Sequence, residues 1–404
     1  MKYINKKLTI EKINLQKIAN KFGTPFYSYS YSKLKENINN FKKNFRSFSP
    51  LICFAVKSNT NVNIIREIKK FGLGADVVSV GELMMALKAG INPSKIVFSG
   101  VGKTTSEISF AIDKKILLIN AESLSEIKEI NRIAKSKNKR IRIGVRLNPN
   151  TDAKTLSQIS TGKKENKFGV NEKTFLELFK YCVNSKNIEL KCLSVHIGSQ
   201  ILNHGPYIKM LNVINKILNK LNYKFEFIDL GGGMGISYND NDKTLNYNKY
   251  RVAIQKFLKK HNSKIIFEPG RSIIGNTGTL ISKIIYIKKS QKKDFIILDA
   301  AMNDLMRPAL YGAHHKILPS IKINKKSKKI YEFVGPVCES TDKFVTLKNF
   351  QELKEKNVVV MCDVGAYGMS LSSNYNLRTK PVELLIKGKK IKVIRKRQKH
   401  KDLI

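Results

Sequence analysis

The chain has 404 residues, 42% of them apolar, with 20 Phe and 15 Tyr, enough for one large core or two ordinary ones. Its 75 Lys+Arg outweigh 31 Asp+Glu by +44, but the lysines are scattered among many Asn and Ile, so the excess reads as compositional bias, and a nucleic-acid partner would rest on charge alone. No apolar run approaches the roughly 18 residues of a membrane span, the start "MKYINKKLTIEKINLQK" lacks a signal peptide's apolar stretch, and the five cysteines form neither a CxxC pair nor a metal spacing, so a cytoplasmic protein without metal is expected.

From residue 51 onward, short β-rich runs alternate with helical stretches. The strand candidates are "LICFAV" (51–56), "ADVV" (75–78), "KIVF" (95–98), "ILLI" (116–119), "IRIGVRL" (141–147), "LSVHI" (193–197), "FEFIDL" (225–230) and "KIIFEP" (264–269). Between them, stretches such as "NVNIIREIKKFG" and "SLSEIKEINRIAKSK" space apolar residues three and four apart, as amphipathic helices do. Alternation of this kind implies a parallel sheet. Eight units predict an α/β fold, a (β/α)8 TIM-like barrel over residues 26–275, with an open doubly wound sheet as the alternative on pattern alone.

One stretch, "KIVFSGVGKTTS" (95–106), has the outline of a phosphate-binding P-loop. That motif requires a glycine five positions before Gly102, where Val97 stands. A nucleotide site is not expected there.

Beyond residue 275 the rhythm changes to strands without regular helices, as in "GTLISKIIYIKKS", "DFIILDA", "KKIYEFVGP", "NVVVMCDVG" and "PVELLIKGKKIKVI". Residues 276–404 are therefore expected to form a second, mostly antiparallel β domain, sandwich- or barrel-like, joined by the segment 1–25. The dense basic block 387–401 reads as a last strand with a solvated tail.

In a barrel, chemistry gathers where strands run into their βα-loops. The first candidate strand ends at Lys57, the sixth at His196, the seventh at Gly231, Gly232 and Gly233, and the eighth at Glu268, Gly270 and Arg271. Alone, each has an ordinary explanation: a surface lysine, a satisfied core histidine, a turn. Jointly they suit an aldehyde cofactor carrying a phosphate. A lysine at an apolar strand end can lose its proton through desolvation, and neutral amine attacks an aldehyde to form a Schiff base. A glycine-rich turn lets backbone N–H groups approach a phosphate, and a carboxylate can keep a pyridine nitrogen protonated. The cofactor inferred is pyridoxal 5'-phosphate.

The motifs "FAVKSN", "DVVSVGEL", "VHIGSQ", "DLGGGMGISY", "FEPGR", "AAMNDLMRPALYGAHH", "GPVCESTD" and "VGAYGMSLSSNYN" span nearly the whole chain. In them the chain resembles the diaminopimelate decarboxylases, in the alanine-racemase-like, fold-type III group of pyridoxal-phosphate enzymes. The resemblance implies that Lys57 carries the cofactor, His196 stacks on its ring and Glu268 pairs with its nitrogen. It implies a phosphate held by Gly231, Gly232, Gly233, Ser199, the turn of Gly270 and Arg271, and Tyr367. Arg271 and Arg307, with Tyr311 and Tyr367, would receive the substrate's distal carboxylate, Glu339 its distal ammonium, and Cys338 would donate the proton. Tyr375 would shape the wall. In the family Cys338 and Glu339 come from the neighbouring subunit, so a homodimer with shared sites is implied.

The implied reaction converts meso-diaminopimelate to L-lysine and CO2, the last step of lysine biosynthesis. Decarboxylation of ornithine, arginine, lysine or carboxynorspermidine is the alternative within the same fold type, and a regulatory homologue without turnover is the alternative outside it. Departures from the family pattern are Phe54, Ser58 and Val195, none of which removes a functional group.

Overall fold

Eight short strands pair in parallel and close on themselves. In chain order they are Leu51–Ala55, Gly74–Val77, Ile96–Phe98, Leu118–Ala121, Ile141–Arg146, Ile188–Ser194, Phe227–Asp229 and Lys264–Phe267, and the eighth pairs with the first. The structure, a computed structural model, describes residues 1–239 and 242–404. It has two units, Ile38–Ile236 with Lys243–Ser272, and Met1–Asn37 with Ser237–Asp242 and Ile273–Ile404. Among the described residues no helix is long and apolar enough to cross a membrane.

The barrel strands are buried because helices cover them, which is why they read as unbroken apolar runs rather than alternating ones. Helices Val62–Lys69, Val80–Lys88 and Leu124–Ser136 each begin at a side-chain cap, where Asn61, Ser79 and Ser123 accept from Asn63, Glu82 and Glu126 N–H groups. Lys103, from the P-loop-like stretch, has a side chain only 1% exposed. Its Nζ donates to Glu126 at 2.5 Å and to the carbonyls of Gly100 at 2.6 Å and Asn120 at 2.8 Å. It ties the third and fourth strand ends together, a structural use for a lysine that outlines a phosphate loop.

The sixth strand runs Ile188–Ser194 rather than 193–197, so His196 lies on the loop beyond it. Strand Phe26–Ser30, placed by its sequence at the start of the barrel, pairs instead with Gly278–Lys288 and Val382–Lys387 in the second unit. The unit boundary falls inside the helix Tyr31–Phe45. Both results correct the expected domain start at residue 26: a short β-prone run does not encode which sheet completes its hydrogen bonds.

The second unit is organised around the eleven-residue strand Gly278–Lys288, which pairs with Phe26–Ser30, Lys293–Leu298 and Val358–Met361. Pairing is mostly antiparallel. The exceptions are Lys293–Leu298 with Ile330–Val334, and Phe26–Ser30 with Val382–Lys387. Strands Ile317–Pro319 and Lys343–Leu347 were not anticipated. The helix Leu15–Phe22 packs Leu15, Ile18 and Ala19 against Phe26, Ile281, Val360 and Leu384. The basic C-terminal block is partly tied down, with strand Lys390–Arg395 paired to Val382–Lys387, Arg395 paired to the buried Glu383, and Gln398 N–H bonded to the Lys380 carbonyl at 3.1 Å.

Aromatic rings lock the junction of the last and first barrel strands. Phe45 packs 4.6 Å from Phe267, 5.1 Å from Phe41 and 5.9 Å from Tyr250, centroid to centroid. Phe45→Ala should lower barrel stability by about 3–5 kcal/mol in urea unfolding; a loss under about 1 kcal/mol would contradict this packing.

Candidate active site

Most barrel strands hand over to a polar residue at or just past the C-terminal end. Lys57 lies in the turn Val56–Ser58 just past the first strand, its Nζ 3.4 Å from Asp76 Oδ2 on the second. The Lys57 side chain is 36% exposed and Asp76 fully buried. Ser99, Asn120, Arg146, Ser194, Asp229 and Glu268 follow from later strands, all buried.

Asn120 spans the barrel interior. Its Nδ2 lies 3.0 Å from Asp229 Oδ2 and 3.3 Å from both Ser99 and Ser194. Room for this comes from Gly144, where a Cβ would stand 2.1 Å from Asn120 Oδ1. Asp229 also accepts from Ser194 at 3.2 Å and, through Oδ1, from the Gly231 N–H at 2.9 Å. Burial, and then the charges of Asp229 and Asp76, push the Glu268 carboxyl well above its usual range, with Lys57 opposing. Burial raises Asp229 to about 6. The barrel mouth thus holds a carboxyl whose surroundings favour its protonated form, beside a primary amine.

The glycine turn is shaped by its neighbours. Gly231 has φ +63°, and a Cβ there would meet His196 Nδ1 and the Val195 carbonyl, each at 2.6 Å. A Cβ on Gly232 would stand 2.0 Å from the Glu268 carbonyl, and one on Gly233 2.3 Å from the Gly198 carbonyl. The Gly232 N–H donates to His196 Nδ1 at 3.1 Å. An N–H donor facing Nδ1 makes that nitrogen the acceptor and leaves the neutral ring's proton on Nε2. Desolvation, Lys57 and Arg146 all lower the His196 pKa well below 6.5. The His196 carbonyl accepts from Thr161 at 2.8 Å and from Arg146 at 3.4 Å, while Arg146 is itself paired with buried Glu122 at 3.0 Å.

Beside this turn, Arg271 donates to Ser199 Oγ at 2.9 Å. Gly270 is in close contact with Ser58, whose Cβ would lie 2.9 Å from any Cβ at 270. The structure therefore gathers Lys57, His196, Ser199, Gly231, Gly232, Gly233, Glu268, Gly270 and Arg271 on the barrel unit.

The remaining candidates lie on the second unit. Arg307 and Tyr311 open and close the short helix Arg307–Tyr311, one turn apart; Arg307 is buried and Tyr311 half-buried. Cys338 and Glu339 sit exposed on a turn pinned by Asp342, whose carboxylate accepts from the Met302 and Val337 N–H groups, each at 2.7 Å. The Tyr375 hydroxyl donates to Glu339, a more specific contact than a wall residue makes. Tyr367 is held at φ +57°, a conformation rare for a tyrosine and found mostly where the surroundings impose it. Asp76, Asn120, Arg146 and Asp229 escaped the sequence reading. Their signal was a polar residue at or next to the end of an apolar strand. Among the described residues no group of three or more His, Cys, Asp or Glu could hold a metal ion.

A family model for the pyridoxal-dependent decarboxylase, pyridoxal binding domain, matches residues 31–275. Diaminopimelate decarboxylase of Helicobacter pylori strain J99 is 44% identical over 393 residues, covering 96% of this chain and 97% of that protein. The chain belongs to the diaminopimelate decarboxylase family. The Aquifex aeolicus diaminopimelate decarboxylase is 38% identical across 100% of this chain and 96% of its own length. The crystal structure of the Helicobacter pylori diaminopimelate decarboxylase complexed with L-lysine superposes with a TM-score of 0.91, at 44% identity over 96% of this chain and 98% of that one.

In this member of the family, the His196 environment yields a direct prediction. Nitrogen-detected NMR of His196 should show a neutral ring protonated on Nε2 while the pH is taken down through 6.5, the ordinary histidine value. A titration at or above that value, or an Nδ1 proton, would contradict the geometry.

Proposed function

We propose that the protein decarboxylates meso-2,6-diaminopimelate to L-lysine and CO2, with pyridoxal 5'-phosphate carried on Lys57. The observation that carries this reading is the meeting of Lys57, His196, Glu268 and the glycine turn at one barrel mouth, in a chain of this family.

The donor set suits the cofactor. The surroundings of Glu268 favour its protonated form, which a pyridine nitrogen could bond to, and Asp76 Oδ1 is buried without a hydrogen-bond partner. The N–H groups of Gly231 and Gly232 are already committed to Asp229 and His196, whereas no described residue accepts from the Gly233 N–H. Gly233, Ser199 and Arg271 are accordingly the donors best suited to a phosphate, with Gly231 and Gly232 shaping the turn, and Gly270 and Tyr367 completing it. When bound, the cofactor supplies an electron sink for the carbon that loses CO2.

The chain's own groups do the rest. Lys57 would hold the cofactor through its side-chain amine. His196, whose surroundings favour the uncharged ring, would lie against the cofactor by resemblance to the family. Cys338 returns a proton to the decarboxylated carbon. Arg307 and Arg271 take the distal carboxylate, for which a guanidinium offers a two-pronged fit, with Tyr311 and Tyr367 assisting. Glu339, bonded to Tyr375, takes the distal ammonium. By resemblance Cys338 and Glu339 serve a second copy's barrel, which makes the working form a homodimer, and the protein is assigned to the cytoplasm.

A substrate panel tests the reading. The loaded protein should release CO2 and L-lysine from meso-diaminopimelate and turn over L-ornithine, L-arginine and L-lysine far more slowly. Preference for one of those monocarboxylates would overturn the substrate assignment. Cys338→Ala should lower kcat roughly 100-fold or more, as loss of a positioned proton donor does; an unchanged kcat would remove Cys338 from the chemistry.

A further inference from the structure

His315 is a buried titratable residue for which the proposed reaction has no use. It lies between the helix Arg307–Tyr311 and the strand Ile317–Pro319 and is 2% exposed. Its Nδ1 is 2.9 Å from the Cys362 carbonyl oxygen and its Nε2 2.8 Å from Arg307 Nη1. A carbonyl oxygen only accepts and a guanidinium only donates. The proton must therefore sit on Nδ1, and the Nε2 lone pair must face Arg307. Two neighbours fix both the charge state and the tautomer of this ring.

Tyr238 completes the arrangement. Its ring lies 4.8 Å from the Arg307 guanidinium carbon, and it meets His315 edge-on at 5.4 Å and 86°. One edge of the guanidinium is held by an acceptor and one face by an aromatic ring. Arg307, itself only 6% exposed, is thereby fixed in both tilt and rotation. A two-pronged carboxylate contact depends on that orientation, because it requires two parallel N–H bonds in one plane.

We propose that His315 is a positioning residue for substrate selection: acting through Arg307, it sets how strongly a ligand bearing the distal carboxylate is held relative to one lacking it. The inference rests on the reading that Arg307 receives that carboxylate. It assigns to the second histidine of "GAHH" a role in specificity rather than in packing alone.

The test uses the pyridoxal-phosphate-loaded protein and three variants. His315→Gln keeps an acceptor near the Nε2 position. His315→Asn keeps a polar contact toward Cys362 but withdraws the acceptor from Arg307. Arg307→Gln is the reference. Measured for each are kcat and KM with meso-diaminopimelate, and inhibition by L-lysine, which carries one carboxylate, and by 1,5-diaminopentane, which carries none. His315→Asn should raise KM and the L-lysine inhibition constant about tenfold, the effect of losing one hydrogen bond to a charged group. It should leave the diamine constant and the cofactor absorbance unchanged and kcat within about threefold of the parent, while His315→Gln stays near the parent throughout. Equal losses for L-lysine and the diamine, or collapse of thermal stability in both His315 variants, would reduce His315 to a packing residue and overturn the inference. If Arg307→Gln weakens L-lysine binding and His315→Asn does not, the inference alone fails. If Arg307→Gln leaves L-lysine binding intact, the underlying reading of Arg307 fails with it.

Discussion

The hydrogen bond from Asn120 to Asp229 crosses the barrel interior, and the geometry of the barrel mouth hangs from it. It exists because Gly144 offers no side chain where the Asn120 amide must pass. Asp229 in turn holds the Gly231 N–H, the next glycine donates to His196, and its α-carbon lies against the Glu268 carbonyl. Lateral register supports the same chain, since Ser194 and Asp229 stand opposite each other on adjacent strands. Four strands are tied through buried polar groups that are costly to leave unpaired, so displacement of any one is resisted by the others.

The electrostatics follow from this arrangement. Asp76, Asp229 and Glu268 are buried near Lys57, and burial with mutual repulsion shifts the Glu268 carboxyl well above its usual range. A core built for stability alone would pair each of these acids. Asp76 has Lys57 at 3.4 Å, Glu122 has Arg146 at 3.0 Å and Glu126 has Lys103, whereas Asp229 and Glu268 crowd one another. The unequal treatment of these carboxylates marks the mouth as a place where proton position matters more than stability. The chain's large positive charge has no part in this, being carried mostly by dispersed surface lysines.

The eight-strand alternation was legible because a strand covered on both faces must be apolar throughout, and its helices show their period plainly. What stayed hidden depended on partners far away in sequence. "FYSYS" at 26–30 has the same local character whichever sheet it joins, and only its pairing with Gly278–Lys288 and Val382–Lys387 decides the matter. Lys57, His196 and Glu268 stood out because each ends or follows a strand with an unusual group. Asp76, Asn120 and Asp229 do the same but look like ordinary strand-end polar residues, and their importance comes from contacts spanning up to 109 positions. The glycines were read as room for a phosphate to approach the backbone, whereas Gly231 and Gly232 are required in this structure by the close approach of His196 and of the Glu268 carbonyl. The role of His315 emerged only from its two hydrogen-bond partners, which no spacing along the chain reveals.

The central claim is that the barrel mouth is a cofactor site anchored at Lys57. Its most direct test is borohydride reduction of the pyridoxal-phosphate-loaded protein, followed by peptide mass spectrometry. In a chain with 75 Lys+Arg, stoichiometric labelling confined to Lys57 is the predicted result. Labelling spread over surface lysines, or concentrated on any other lysine, would contradict the account.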